Sequence, residues 1–265
     1  MNRAGKAMIT GASSGIGAVY ADQLAARGLN LILVARDHNR LEAIAQRLRH
    51  TYSVEVSCLG VDLTQAAGLE QTLALLEQDL TLTMLVNSAG ISPKDPVLES
   101  EEQSLAAMVN LNVNVLHRLT IRAAKVFSSR SLGAIINIAS VVALMPEKFN
   151  GSYSASKSFV LVLTQALAGE LALHGVQIQA VLPGFTRTEL FERAGIDISV
   201  IPPDMLMNAS ELVEAALIGF ERGELVTIPS LVDLALWRSF EHTRQQLAPY
   251  LSLQHPAPRY FNTPG

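Results

Sequence analysis

A single cysteine, Cys58, in 265 residues excludes an internal disulfide, and its place in Val54-Glu55-Val56-Ser57-Cys58-Leu59 reads as a buried, unreactive strand thiol. The six histidines, at 38, 50, 117, 174, 242 and 255, fall at no ligand spacing, so no metal site is expected. No apolar run reaches about 18 residues, which argues against a membrane span. With no basic tract and a net charge of −4, nucleic acid is not an expected partner. The chain enters an apolar strand pattern within about six residues, too soon for a signal sequence, so a cytoplasmic location is expected. Charged residues make up only 17% and hydrophobic ones 49%, a balance that argues against disorder and supplies a core covered on both sides. Nothing in the middle reads as a linker, and residues 1–265 are expected to form one domain.

Short β-rich runs alternate with longer helical patterns. The runs are Ala7–Thr10, Leu31–Ala35, Val54–Leu59, Met84–Val86, Ala134–Ala139 and Val176–Leu182, with a last short one at Leu225–Ile228. They are nearly continuous in apolar residues, as strands covered on both faces should be, which points to an α/β doubly wound parallel sheet. Residues 185–210 break the alternation: apolar but interrupted by Gly195, Pro202 and Pro203, they read as a flap or short helices. Residues 229–265 read as a helix containing Leu231, Leu234, Trp237 and Phe240, then a tail punctuated by Pro249, Pro256, Pro258 and Pro264.

The chemistry concentrates in three places. Tyr153-Ser154-Ala155-Ser156-Lys157 puts a phenol and an ammonium on one helix face, and Ser140 ends the strand run thirteen residues upstream. Thr10-Gly11-Ala12-Ser13-Ser14-Gly15-Ile16-Gly17 follows the first strand and opens a helical stretch, the context in which glycines let a backbone approach a pyrophosphate. At the end of the second strand, Arg36 offers a planar, always charged partner for a ribose 2′-phosphate and favours NADP(H), whereas Asp37 leaves NAD open. Ser14 either adds a hydroxyl to that phosphate or is a plain turn residue. For reduction of a carbonyl, Tyr153 can supply the proton. Doing so near pH 7 calls for a downward pKa shift of roughly 3 units, about 4 kcal/mol, which Lys157 and an oxidised nicotinamide are expected to provide. Ser140 can donate to the substrate oxygen. A serine nucleophile would need a histidine base and a Gly-x-Ser-x-Gly elbow, and neither surrounds Ser140.

These motifs together resemble the classical short-chain dehydrogenase/reductase family over roughly residues 5–190. The resemblance implies a Rossmann-type sheet of about seven strands in the order 3-2-1-4-5-6-7. It also implies cofactor contacts from Gly11, Ser13, Ser14, Gly15, Ile16, Gly17 and Arg36, from the Asp62-Leu63 pair at adenine, and from Asn87, Ala89 and Gly90 of Asn87-Ser88-Ala89-Gly90. Further contacts are implied from Tyr153 and Lys157, and from Pro183, Gly184, Thr186 and Thr188 of the segment that closes over nicotinamide. The second asparagine of the family's Asn-Asn-Ala-Gly is Ser88 here. Asn112 fits the catalytic asparagine, which would hold a water linking Lys157 to solvent; Asn110 and Asn114 are nearby competitors. Lys157 would hold the nicotinamide ribose hydroxyls. The helices expected at about 101–128 and 152–174 imply a homodimer or homotetramer. Phe185, Leu190, Phe191, Ile196, Ile198, Val200, Ile201, Met205 and Met207 suggest an apolar carbonyl or alcohol as the small-molecule substrate, or simply pack the flap on the core. The rival reading is a dinucleotide-binding regulator or scaffold without catalysis.

Overall fold

Apolar runs too short for helices become six strands in the computed structural model, which describes residues 5–189, 195 and 197–261. They are β1 (Lys6–Thr10), β2 (Asn30–Ala35), β3 (Val56–Gly60), β4 (Leu82–Asn87), β5 (Gly133–Ile138) and β6 (Val176–Val181). Two short strands follow, β7 (Thr186–Arg187) and β8 (Met207–Asn208), and then β9 (Val226–Thr227). The main sheet is parallel throughout, in the order β3-β2-β1-β4-β5-β6-β9. This is the expected order, its seventh strand being β9 because β7 and β8 lie outside the main sheet.

Side-chain alternation along each strand feeds two cores. Ile9, Leu33 and Ile136 face one way and pack with Tyr20 and Leu24 of α1 (Gly15–Ala26), Leu41 and Leu48 of α2 (His38–Tyr52), and Leu212 and Leu217 further along the chain. Met8, Ile32, Leu85 and Ile135 face the other way, onto Leu69 and Leu73 of α3 (Ala66–Gln78) and onto Leu119 and Phe127. The helix expected at about 101–128 runs as α4 (Glu102–Val109), a π turn at Asn110–Val115 and α5 (Leu116–Ser129). The next long helix is α6 (Gly151–Ala172), and α7 (Ala209–Glu221) carries Leu212 and Leu217.

The flap region holds one feature the sequence did not suggest: β7 and β8 pair in parallel, Thr186 opposite Met207 and Arg187 opposite Asn208. Short 3-10 turns occupy Ile198–Val200 and Pro203–Met205. Leu190, Phe191 and Ile196 lie outside the described residues, as does Pro264 of the tail.

The chain divides into two compact units, Met1–Pro229 and Ser230–Gly265. Within the second, α8 (Leu234–Gln246) is capped by the Asp233 carboxylate, which accepts from the Ala235 amide at 2.9 Å. Trp237 and Phe240 stack there with centroids 5.5 Å apart, and no residue of α8 is buried. No helix among the described residues is long and apolar enough to cross a membrane.

Candidate active site

The sheet order reverses between β1 and β4, so the loops that follow these strands part and leave a crevice at their carboxyl ends. Gly11 turns there at φ +68°, and a Cβ on it would lie 2.9 Å from the Ala89 backbone. A Cβ on Gly17 would sit 2.4 Å from the Gly11 carbonyl oxygen, so α1 can approach the turn only because that atom is missing. Ser14 occupies the N-cap of α1 without a side-chain capping bond, and the first turn has no acidic residue. Among the described residues the amides that open α1 are thus left without a side-chain acceptor, as an anion site requires. Ser13, Ser14, Gly15, Arg40, Arg187 and Thr188 help line an adjoining cavity of about 810 Å³. The bare turn, the uncapped helix start and this volume fit a nicotinamide dinucleotide.

The other cofactor candidates are distributed around this crevice. Ile16 packs against the core. Arg36 is exposed just beyond β2, and Asp37 caps α2 by accepting from the Arg40 amide at 3.0 Å. Asp62 accepts from the Thr64 amide at 2.9 Å and its hydroxyl at 2.7 Å. Burial opposes the charge on Asp62, but these bonds and nearby Arg36 hold its carboxyl below the usual value. Leu63 is buried in the core, so only its backbone can face a ligand. Thr186 donates to the Gly184 carbonyl at 3.0 Å, and a Cβ on Gly15 would come within 3.3 Å of the Thr188 side chain.

At the chemical end, Ser140 lies two residues beyond the end of β5. Its hydroxyl donates to the Pro183 carbonyl at 3.3 Å and accepts from the Val142 amide at 3.3 Å. Lys157 is buried, with Nζ donating to the Ile138 carbonyl at 2.9 Å and standing 5.8 Å from the centre of the Tyr153 ring. Burial pushes the Tyr153 phenol up to about 12, against a smaller lowering from its hydrogen bond with Ser140, and brings the Lys157 ammonium down to about 8. The expected fall of the phenol pKa is therefore not a property of the chain alone: removal of both groups from water disfavours their charged forms, and lysine does not overcome this for tyrosine.

Asn112 lies in the π turn, 1% exposed. Its side chain clasps Ile91 twice, accepting from the amide at 3.0 Å and donating to the carbonyl at 2.9 Å. A Cβ on Gly90 would lie 3.2 Å from Asn112 Oδ1 and 3.7 Å from Lys157 Nζ, so Gly90 joins these two residues into one wall. Asn110 and Asn114, the competitors, turn instead to each other, 3.4 Å apart. Asn87 faces a buried polar network, its Nδ2 3.1 Å from Thr120 Oγ1 and 2.9 Å from Asn137 Oδ1, with Asn137 reaching on to Thr164 at 3.1 Å.

Residues 6–198 match the model of the short chain dehydrogenase family. The chain belongs to this family. Over 208 residues it is 33% identical to a very-long-chain 3-oxoacyl-CoA reductase of Podospora anserina, covering 77% of this chain and 61% of that protein; it thus spans about three-fifths of that relative's length. Among solved structures it is similar to a short-chain dehydrogenase from Sphingobium yanoikuyae in complex with NADPH, at 43% identity, 97% and 99% coverage and a TM-score of 0.94. It is also similar to a bulky-bulky ketone specific alcohol dehydrogenase from Comamonas testosteroni, at 40% identity, 97% and 99% coverage and a TM-score of 0.89.

Two residues of this short-chain dehydrogenase were not singled out from the sequence. Thr10 Oγ1 accepts from the amides of Ser88 and Ala89 at 3.1 and 3.2 Å, tying the loop after β4 to the glycine turn. Asn150 caps α6 by accepting from the Tyr153 amide at 3.1 Å and donates to the Asp95 carbonyl at 2.8 Å. An asparagine preceding a helix was the available signal for the cap; nothing in the sequence pointed to its second bond.

Proposed function

We propose that the protein is an NADP(H)-dependent oxidoreductase that moves hydride between nicotinamide and a carbonyl/alcohol pair carrying apolar substituents. The observation that carries this reading is the gathering of Ser140, Tyr153, Lys157 and Asn112 at the carboxyl ends of β4 and β5, beside a glycine turn suited to a dinucleotide. Bound NADPH supplies the hydride. Ser140 donates to the substrate oxygen as negative charge develops on it. Tyr153 passes its phenolic proton to the same oxygen, and in the reverse direction takes it back. Lys157 orients the nicotinamide ribose and, when charged, favours the phenolate. Asn112 holds the loop behind Lys157 and the water through which the phenolate regains its proton.

Exposed Arg36 supports NADP over NAD. The carboxylate that could accept from a free 2′-hydroxyl, Asp37, is already engaged in capping α2. Phe149 and Phe185 support an apolar substrate: they meet edge to face, with centroids 6.3 Å apart, on the segments that follow Ser140 and Pro183. The outward face of α6, with Phe159 37% and Val162 61% exposed along a groove containing Ala155 and Leu163, supports assembly as a homodimer or homotetramer.

Replacing Tyr153 by Phe is expected to cut NADPH-dependent ketone reduction by roughly 10²-fold or more while leaving NADPH binding, followed by nicotinamide fluorescence, intact. Undiminished turnover would sink the assignment. A ketone panel checks the substrate class: faster turnover of small charged ketones contradicts it, and faster turnover of 3-oxoacyl-CoA thioesters replaces it with the activity named for the Podospora relative.

A further inference from the structure

Arg40 stands in the first turn of α2, and its guanidinium grips Glu189 with two prongs, Nη1 to Oε2 at 3.0 Å and Nη2 to Oε1 at 2.5 Å. Glu189 directly follows Thr188 on the segment expected to close over nicotinamide, so the contact joins the adenosine end of the crevice to the flap. Both residues line the 810 Å³ cavity together with Ser13 and Ser14. Asp197 also lines it, but its carboxylate accepts from the Ser199 amide at 2.9 Å.

The Arg40–Glu189 pair is a weak one, its side chains 44% and 39% exposed, because water screens each charge well without the other. A phosphate monoester carries more negative charge than a carboxylate and matches the guanidinium fork. We infer that Arg40 is a second ligand, beside Arg36, for the 2′-phosphate of the adenosine ribose, and that it exchanges Glu189 for that phosphate when the cofactor binds. The inference rests on the NADP reading above.

The test uses calorimetric titration of the full chain with 2′,5′-ADP and with 5′-AMP, ligands that differ in the 2′-phosphate and carry no nicotinamide. Arg40→Ala is expected to weaken 2′,5′-ADP roughly tenfold with 5′-AMP unchanged, and Glu189→Gln to tighten 2′,5′-ADP severalfold by freeing the guanidinium. Unchanged 2′,5′-ADP affinity in Arg40→Ala, equal loss for both ligands, or no tightening in Glu189→Gln overturns the inference. If Arg36→Ala alone removes discrimination between the two ligands, the NADP reading stands and this inference falls. If the wild type binds both equally, the two fall together.

Discussion

Asn112→Ala probes the joint between the π turn and the loop after β4. The side chain is buried and makes two hydrogen bonds to the same residue, Ile91. Truncation deletes both, together with a long bond from Nδ2 to Ser156 Oγ at 3.4 Å, and strands an amide and a carbonyl of a partly buried loop. At roughly 1 kcal/mol per bond, with a further penalty for the stranded groups, the expected loss is about 2–3 kcal/mol. For a chain of this size that corresponds to a fall in melting temperature of roughly 5–10 °C. Because Gly90 lies against both Asn112 and Lys157, the loosened loop should also lower kcat, even at temperatures where the variant remains folded. Urea denaturation and steady-state kinetics at 20 °C measure the two effects separately. Asn114→Ala, one exposed turn residue along, serves as control and should change stability by no more than about 0.5 kcal/mol. If Asn112→Ala matches that control, the clasp on Ile91 is not what holds the loop.

Gly17→Ala places a Cβ 2.4 Å from the Gly11 carbonyl oxygen; the backbone must shift, and a destabilisation of about 1–3 kcal/mol with weaker NADPH binding is expected from melts and fluorescence titration. Lys157, brought down to about 8 by burial, is charged below that pH, so NADPH affinity should fall as pH rises through 8; an identical profile in Lys157→Met would remove lysine as the cause. The same shift makes the folded chain bind fewer protons than the unfolded one between about 8 and the ordinary lysine value of 10.5, so this residue's contribution to stability rises with pH across that window. Burial disfavours the charge on Asp79, but Lys6 at 2.7 Å and the Thr81 amide and hydroxyl hold its carboxyl below the ordinary value. Its stabilising contribution is present above the unfolded carboxylate pKa and is lost as pH falls through the folded one; Asp79→Asn should flatten the acid side of the urea-midpoint profile, and an unchanged profile would refute the assignment.

The sheet was legible because doubly covered parallel strands leave continuous apolar runs, and the runs around Ile9, Leu33, Val86 and Ile136 became central strands with small errors at their ends. The glycine turn and the grouping of Ser140, Tyr153 and Lys157 could be proposed from sequence because backbone approach to a phosphate and proton transfer, the roles proposed for them, tolerate few residue types. The π turn was not: a change from i+4 to i+5 bonding at Asn110–Val115 leaves no mark in composition, so one long helix was expected. Nor was the balance of charge at Tyr153, since spacing brings Lys157 near but burial decides which way the phenol moves. The parallel pairing of β7 with β8 escaped because two-residue strands have no period to read. Asp37 shows the same limit: sequence offered it as a ribose ligand, while its capping bond to Arg40 depends on where α2 begins.

Asn150 gives one amide side chain hold of two walls at once, the helix bearing Tyr153 and the loop at Asp95. At both ends the bond is to a main-chain atom, the Asp95 carbonyl and the Tyr153 amide, so this link does not depend on neighbouring side chains. Phe149, the residue next to this anchor, can change in size without moving Tyr153, the proposed proton donor. On the proposed function, selectivity is therefore separable from reactivity: libraries at Phe149 and Phe185 should redraw the range of accepted ketones on an unaltered chemical frame, whereas the same diversity at Asn150 would disturb the frame itself.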